Sequence, residues 1–333
     1  MRVISEYGKD DVAKVYVAEM GGHVLSGRNG NGGRLIEFVE SLTPSVPREE
    51  KWVLILSSLY GCPVKCVMCD AGGGYKGKLT AAEIMQQVDY IVRRRYPDGS
   101  PRTKRLKIQF ARMGEPAYNP EVLNALRTLP TVYDKSILHI SLSTIAPDSP
   151  ATAEFFDALI NIKNEHYGDG RFQLQFSIHT TDANLRDRLM PIPKWPFEKI
   201  AEYGSRFAQT GNGDKKVTLN FAPIIGYPID PTVVRQYFDP EIFLIKLTPL
   251  NPTVNALNVG LVSGIDPDNP QTGEQYVSSF RKEGYDVILS IGEPEENRIG
   301  SNCGQYVQRA LASGRTATPS GSYELSEYTV PRK

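Results

Sequence analysis

The chain has no apolar run of about 18 residues, no excess of charge of one sign and few cysteines. The missing apolar run excludes an ordinary membrane-spanning helix. Lys plus Arg number 38 and Asp plus Glu number 38, so the overall basic excess typical of nucleic-acid-binding proteins is absent. Asp10 and Asp11 stand where an export signal needs apolar residues, and we therefore expect a cytoplasmic protein in a reducing compartment.

The 333 residues contain a regular alternation of strand and helix patterns. Apolar, β-branched runs typical of buried strands lie at 52–58, 106–111, 137–143, 172–178, 216–222, 243–249 and 285–291. Helical patterns lie at 80–95, 119–129, 152–164, 197–208 and 275–284. The first of these helices opens with a capping box from Thr80 to Glu83. The alternation predicts an α/β fold with right-handed crossovers and a parallel sheet.

Six or seven such units favour a barrel or partial barrel, although the pattern alone leaves a doubly wound sheet open. Residues 14–42 alternate apolar and polar side chains, which predicts a small antiparallel β unit. We therefore expect an N-terminal β extension at 1–50 and a core barrel at 51–312. The Ser-, Thr-, Gly- and Pro-rich residues 313–333 are expected to form a flexible tail.

Reactive side chains follow several of the predicted strands, where the chemistry of such folds is found. They are Cys62, Cys66 and Cys69, Glu115, Ser143, Ser177, His179 and Asn251. If the strands are parallel, all of these ends meet at one edge of the sheet. The sequence therefore predicts a site with thiols, a carboxylate, hydroxyls, an imidazole and an amide.

Three of the four cysteines stand in the sequence GCPVKCVMCDAG, and the fourth, Cys303, lies far away in SNCGQ. Clustered thiols in a reducing compartment are usually metal ligands. A structural zinc site needs four protein ligands, so it would need a further one. A four-iron cluster held by three cysteines leaves one iron able to bind something else. Cys303 could supply a fourth ligand in either case, and both alternatives remain open at this point.

The Cys62-x3-Cys66-x2-Cys69 spacing after the first core strand resembles the radical S-adenosylmethionine (SAM) superfamily. Met68 stands where an aromatic residue is usual. Further segments narrow the resemblance: MGEPAYN, LST, SIHTTDANLRDRLMPI, PLNP and NCGQ follow the cysteine loop in order. From about residue 14 to about residue 312 the chain resembles the RNA adenine methyltransferases that modify carbon-2 or carbon-8 of adenine. The resemblance implies a partial (β/α)6 barrel of the TIM type.

The resemblance also implies cofactors and roles. Cys62, Cys66 and Cys69 would bind a [4Fe–4S] cluster whose free iron chelates SAM. Gly114 and Glu115 would contact SAM, with the carboxylate accepting from the methionine ammonium. Ser143, Ser177, His179 and Asn251 would be further SAM contacts. An external one-electron reductant such as flavodoxin or ferredoxin would supply the electron.

Cys303 would be the methyl carrier, since the resembled family methylates this cysteine and then takes a hydrogen from the S-methyl group. Glu37 falls near the family's proposed base. Seven residues before Cys62 the family has a second catalytic cysteine, which resolves the covalent intermediate as a disulfide, but this chain has Ile55 there. Without a second thiol the usual resolution step is excluded.

A second departure concerns the substrate, because the RNA-acting family carries a helical RNA-binding domain before its β unit. Here about 13 residues precede residue 14, and the net charge is zero. We therefore expect a small-molecule or peptide substrate, with RNA less favoured. The alternatives are a radical SAM enzyme that abstracts hydrogen without methyl transfer, and a zinc-stabilised binding module.

Overall fold

The structure, a computed structural model, describes residues 1–21, 34–42, 46–208 and 213–292, together with 296, 299, 306 and 307. In chain order its strands are β1 (Arg2–Lys9), β2 (Ala13–Met20), β3 (Arg34–Ser41), β4 (Trp52–Leu56), β5 (Leu59–Cys62), β6 (Gly73–Lys78), β7 (Leu106–Phe110), β8 (Leu138–Thr144), β9 (Phe172–Ser177), β10 (Val217–Phe221), β11 (Phe243–Leu247) and β12 (Val287–Leu289). Its α-helices are α1 (Ala81–Arg95), α2 (Glu121–Val132), α3 (Pro150–His166), α4 (Ala183–Leu189), α5 (Phe197–Ala208), α6 (Pro231–Tyr237), α7 (Val254–Asn258) and α8 (Glu274–Lys282). Short 3-10 helices lie at Pro116–Tyr118 and Pro270–Gly273.

One continuous sheet carries ten strands in the order β1-β2-β3-β4-β7-β8-β9-β10-β11-β12. The pairs from β1 to β4 are antiparallel, and those from β4 to β12 are parallel. The predicted parallel α/β core and the antiparallel unit at 14–42 are therefore confirmed. The seven parallel strands form the sheet of the predicted partial barrel, and within the described residues no ladder joins β12 to β4.

The predicted strands and helices form because their apolar faces meet in one core. That core runs from Val15 and Tyr16 in the N-terminal strands through Trp52 and Leu54 to Ile108 in the barrel. The first helix shows the local logic: Thr80 accepts from the Glu83 backbone N–H, and the Glu83 carboxylate accepts from the Thr80 N–H. Its Ile84, Val88 and Ile91 then bury one helical face.

Several elements were not predicted from the sequence. Strand β1 precedes the predicted β unit, and β5 and β6 form a separate two-stranded antiparallel sheet around the cysteine loop. The short helices α4, α6 and α7 were also missed. In the described part of the chain, no helix combines the length and apolar character needed to cross a membrane. The predicted tail at 313–333 lies outside the described residues, and the predicted domain boundaries stay predictions.

Candidate functional site

The three clustered cysteines sit on a loop that the β5–β6 hairpin closes. Cys62 ends β5 and lies opposite Gly73. The Cys69 N–H donates to the Cys66 carbonyl at 3.0 Å, which folds the second half of the loop into a turn. Gly61 has a φ of +73°, and a Cβ there would lie 2.6 Å from the Gly73 carbonyl oxygen. A larger residue at this position would push the hairpin apart and displace the first thiol.

The thiols of the loop are largely buried, and their charges influence one another. Burial raises the pKa of the Cys62 thiol to about 12, with the neighbouring Cys69 and Glu115 charges adding to the shift. Burial first, then the charges of Cys69, Cys62 and Glu115, also raise the pKa of the Cys66 thiol. The pKa of Cys69 is raised in the same direction, chiefly by burial. Three half-buried thiols so close together ionise together only beside a compensating cation.

This donor set fits an iron–sulfur cluster. Thiolates are the protein ligands that such clusters use, and each binds a different iron, so the sulfurs need not meet at one point. Among the described residues, no three His, Cys, Asp or Glu side chains form a group able to hold a single metal ion, and the three cysteines are included in that statement. Cys62, Cys66 and Cys69 are free and partly exposed, so they remain accessible to a cluster.

The loop is fastened from behind by the start of helix α7. The Asp70 carboxylate accepts from the backbone N–H groups of Val254 at 3.0 Å and Asn255 at 2.9 Å. The Thr253 hydroxyl donates to the Met68 carbonyl at 2.9 Å, and the Asn255 amide donates to the Cys69 carbonyl at 2.9 Å. Cluster-loop backbone and α7 are therefore held as one unit.

Glu115 lies beside this loop and links two strand ends. Its Oε1 accepts from the Ala117 N–H at 3.0 Å and the Thr144 hydroxyl at 2.6 Å, and its Oε2 accepts from the Ile145 N–H at 2.9 Å. Burial raises its pKa to about 7, although these three hydrogen bonds oppose the shift. A carboxylate offers about four acceptor positions, so one position on Oε2 remains for a ligand donor.

Gly114, the neighbour of Glu115, is required by the close approach of two segments. Its φ is +104°, and a Cβ there would lie 2.6 Å from the Leu59 side chain. Only glycine combines this backbone conformation with this contact. Gly114 therefore lets the segment after β7 pass directly against the start of the cysteine hairpin.

Ser143, Ser177 and Asn251 line one cavity of about 500 Å³ inside the partial barrel. Ser143 lies in β8, Ser177 ends β9, and Asn251 follows β11. The structure thus brings together three of the predicted SAM contacts, whereas Gly114, Glu115 and His179 do not line this cavity. Ile55, at the position of the family's second cysteine, lines the cavity too.

His179 is buried in a structural arrangement. Its φ of +65° is unusual for a residue other than glycine, and its Nδ1 accepts from the Ala222 N–H at 3.1 Å. Burial lowers its pKa to about 4, and the nearby Arg186 charge lowers it further. The imidazole is therefore neutral at pH 7, with its proton on Nε2.

Glu37 is fully buried on β3 and is surrounded by donors. Its Oε1 lies 2.9 Å from Arg112 Nε, and its Oε2 accepts from the backbone N–H groups of Tyr306 at 3.0 Å and Val307 at 3.1 Å. Burial raises its pKa, whereas Arg112 and the two backbone bonds lower it. Glu37 thereby ties residues 306–307 to the core sheet. The predicted methyl carrier, Cys303, lies outside the described residues.

Sequence patterns did not reveal the residues that hold the cysteine loop and Glu115 in place. Asp70, Thr253 and Asn255 fasten the cysteine loop, and Thr144 orients Glu115. Thr253 carried a readable signal, because a Thr directly before a helical segment is a common N-cap. The partners of Asp70 and Thr144 are distant in sequence, so no local pattern could reveal them.

The fold comparison defines the class of this chain. A radical SAM methyltransferase from Sphaerobacter thermophilus superposes with a TM-score of 0.67, covering 91% of this chain and 80% of the neighbour at 20% sequence identity. That similarity shows the fold. The chain therefore shares the α/β fold of that neighbour.

The sequence relatives give a more specific similarity than the fold comparison does. The dual-specificity RNA methyltransferase RlmN of Syntrophobacter fumaroxidans is 28% identical over 292 residues, which are 83% of this chain and 73% of the relative. A probable RNA methyltransferase of Ectopseudomonas mendocina is 29% identical over 297 residues, covering 86% of this chain and 75% of the relative. No protein-family model matches the chain.

These comparisons confirm the resemblance to the radical SAM RNA methyltransferases that was inferred from the motifs. Both relatives are named as RNA methyltransferases, and this chain is similar to them over more than four fifths of its length.

Proposed function

We propose that this chain is a radical SAM enzyme with SAM and a [4Fe–4S] cluster as cofactors, and that it transfers a methyl or methylene group to an unactivated carbon, with Cys303 as the carrier and a small molecule or peptide as substrate. The observation that carries the proposal is the placement of three thiols on the loop of the β5–β6 hairpin, with Glu115 beyond the end of β7 and with Ser143, Ser177 and Asn251 lining a cavity of about 500 Å³. The sequence motif around Cys303 supports the carrier role.

Different residues of the described chain would hold the cluster and SAM. Cys62, Cys66 and Cys69 would hold the cluster, and the free acceptor position on Glu115 suits the ammonium group of SAM. Ser143, Ser177 and Asn251 offer hydroxyl and amide groups to the rest of SAM from the cavity wall. When bound, the cluster and SAM supply a 5′-deoxyadenosyl radical and a transferable methyl group.

His179 and Glu37 have positioning roles in this proposal. The neutral His179 ring fixes the backbone after β9 through the Ala222 N–H, which places Ser177 at the cavity wall. The Glu37 carboxylate is occupied by Arg112 and two backbone N–H groups, so it holds the chain at 306–307 rather than moving a proton.

The carrier step requires Cys303 as a thiolate, because attack on the SAM methyl carbon forms a new C–S bond while the sulfonium C–S bond breaks. S-adenosylhomocysteine would be the leaving group and would take the electron pair of the broken bond. With Ile55 on the cavity wall instead of a cysteine, release of the product needs an external thiol or another base. An external one-electron reductant such as flavodoxin or ferredoxin completes the system.

Mass spectrometry of the anaerobically purified protein tests the proposal. The peptide that contains Cys303 should be heavier by one CH2 unit, and a Cys303→Ser control should lack this increase. SAM turnover should yield both S-adenosylhomocysteine and 5′-deoxyadenosine. An unmodified Cys303 after turnover that gives 5′-deoxyadenosine alone would overturn the carrier role and favour simple hydrogen abstraction.

A further inference from the structure

The cavity inside the partial barrel extends beyond the predicted SAM contacts and has three lysines on its wall. Besides Ser143 and Ser177, its wall includes the side chains of Lys51, Lys107 and Lys246. Lys107 is the second residue of β7, near the amino end of that strand, and Lys246 lies in β11 opposite Asn220 of β10. Neither lysine is needed by the site described above.

Lys107 and Lys246 have no carboxylate partner among the described residues, whereas Lys104 pairs with Glu50 and Lys216 pairs with Asp286. Glu296 is the acidic residue on the cavity wall; the Ser41 hydroxyl donates to it at 2.5 Å, and its charge acts on Lys51. Among the described residues of the cavity wall, lysines therefore outnumber carboxylates.

The environment of these lysines opposes their charge. Burial lowers the pKa of Lys107 to about 7, and the charges of Lys246, Lys51, Lys215 and Arg105 lower it further. Burial, followed by the Lys51 charge, also lowers the pKa of Lys246. Two half-buried cations without partners destabilise a fold, and such an arrangement is typical of a site completed by a ligand of opposite charge.

We propose that Lys107 and Lys246 bind the anionic group of the substrate, a phosphate or a carboxylate, inside the barrel. The remaining wall suits a small polar molecule, because Gln109, Gln175 and Asn220 add uncharged amide groups. This inference rests on the proposed function and narrows its substrate to a small anion-bearing molecule. The anionic group would sit at the lysines, and the rest of the molecule would extend towards Ser143 and Ser177.

Binding measured without turnover tests this site directly. Calorimetry on the anaerobically reconstituted protein, with saturating SAM present, would use inorganic phosphate and acetate as separate probes for the two anion types. At least one should bind, and the double variant Lys107→Met/Lys246→Met should weaken that binding by about tenfold or more. Lys282→Met, which removes an exposed lysine from the last turn of α8, should leave the affinity unchanged.

The double variant removes two unfavourable charges, so it should fold at least as stably as the parent, which chemical denaturation checks. Binding of neither probe, or equal binding by the double variant, would overturn the inference. So would a loss of SAM affinity in the double variant, because the lysines would then serve the SAM carboxylate. Lysine-dependent binding of a short RNA oligonucleotide without binding of either small anion would also overturn it.

The test of the Cys303 carrier role and the test of the anion site can fail independently of each other. If an anion binds in a lysine-dependent manner while Cys303 remains unmodified, the substrate site stands and the carrier role falls. If Cys303 is methylated while neither anion binds, the carrier role stands and the anion site falls.

Discussion

At the scale of single residues, the contacts of the buried Glu37 carboxylate distinguish a catalytic role from a structural one. It is fully buried, and its two oxygens are used by Arg112 and by the N–H groups of Tyr306 and Val307. A general base needs an oxygen within reach of the proton that it removes. The contacts of Glu37 instead suit a structural tie between β3, the segment after β7 and residues 306–307.

Glu37→Gln should therefore lower the free energy of unfolding by roughly 3 kcal/mol, because it removes the carboxylate charge that lies 2.9 Å from the buried Arg112 side chain. Chemical denaturation of the two proteins measures this difference. The double variant Glu37→Gln/Arg112→Met should recover part of the loss, since no uncompensated charge then remains buried. Equal stability of Glu37→Gln and the parent would show that the pair does not hold the fold.

His179 gives a pH dependence of stability with a definite sign. Its pKa is about 4 in the folded protein and about 6.5 in an unfolded chain, so the unfolded chain binds the proton first as the pH falls. Its contribution is fully present above about pH 6.5 and is lost as the pH falls towards 4.

We expect His179→Asn to lose less stability than the parent between pH 6.5 and pH 4, as measured by denaturation at each pH. Asn is the suitable replacement because it tolerates a positive φ and does not titrate. His139, whose pKa is also lowered to about 4, stays in both proteins and cancels in the comparison. Parallel pH profiles would contradict a neutral, buried His179.

At the scale of elements, the cysteine loop and helix α7 act as one unit. The Asp70 carboxylate accepts from two N–H groups at the start of α7, so the residue after the last cluster thiol also caps a helix 184 positions away in the chain. Loss of a cap should therefore reach the cluster loop directly.

Asp70→Ala should lower the free energy of unfolding by about 1 kcal/mol and speed the loss of iron to a chelator. Asp230→Ala is the matched control, because Asp230 caps α6 through the Thr232 N–H at 2.8 Å and is remote in sequence from the loop. The control should lose some stability without faster iron loss. Equal rates of iron loss in both variants would show that the Asp70 cap does not stabilise the cluster.

The sequence predicted the long elements well because their patterns are local. Helix α1 carries its own capping box and apolar stripe, and α5 was predicted at its observed bounds, 197–208. The β5–β6 hairpin was missed because glycines and lysines in β6 hide any apolar alternation. Helices α4, α6 and α7 are at most two turns long, which is too short for a 3.6-residue period to show.

In the candidate site, too, local patterns were predictable from the sequence and long-range contacts were not. The spacing of Cys62, Cys66 and Cys69 is local, so the sequence revealed it, and the structure brings the three thiols together. The fastening of the loop by Asn255 and the pairing of Glu37 with Arg112 join residues far apart in the chain. Lys107 and Lys246 were missed because each looks like an ordinary strand residue until the fold places both on one cavity wall.

At the scale of the whole molecule, one sheet joins the N-terminal strands to the barrel. The register pairs Val39 of β3 with Ile55 of β4, so the strand that carries Glu37 lies beside the strand that leads into the cysteine loop. The antiparallel strands thereby extend the barrel sheet past β4 and share its apolar core. Glu37 and the cluster loop consequently depend on the same core for their relative positions.

The central claim is that three thiols hold a cluster with one iron left for SAM, and electron paramagnetic resonance of the reduced, anaerobically reconstituted protein tests it most directly. The account predicts about four iron and four sulfide ions per chain and a cluster signal that changes when SAM is added. Cys66→Ala should lose this signal. A protein without iron and sulfide, or a cluster signal that SAM leaves unchanged, would contradict the account.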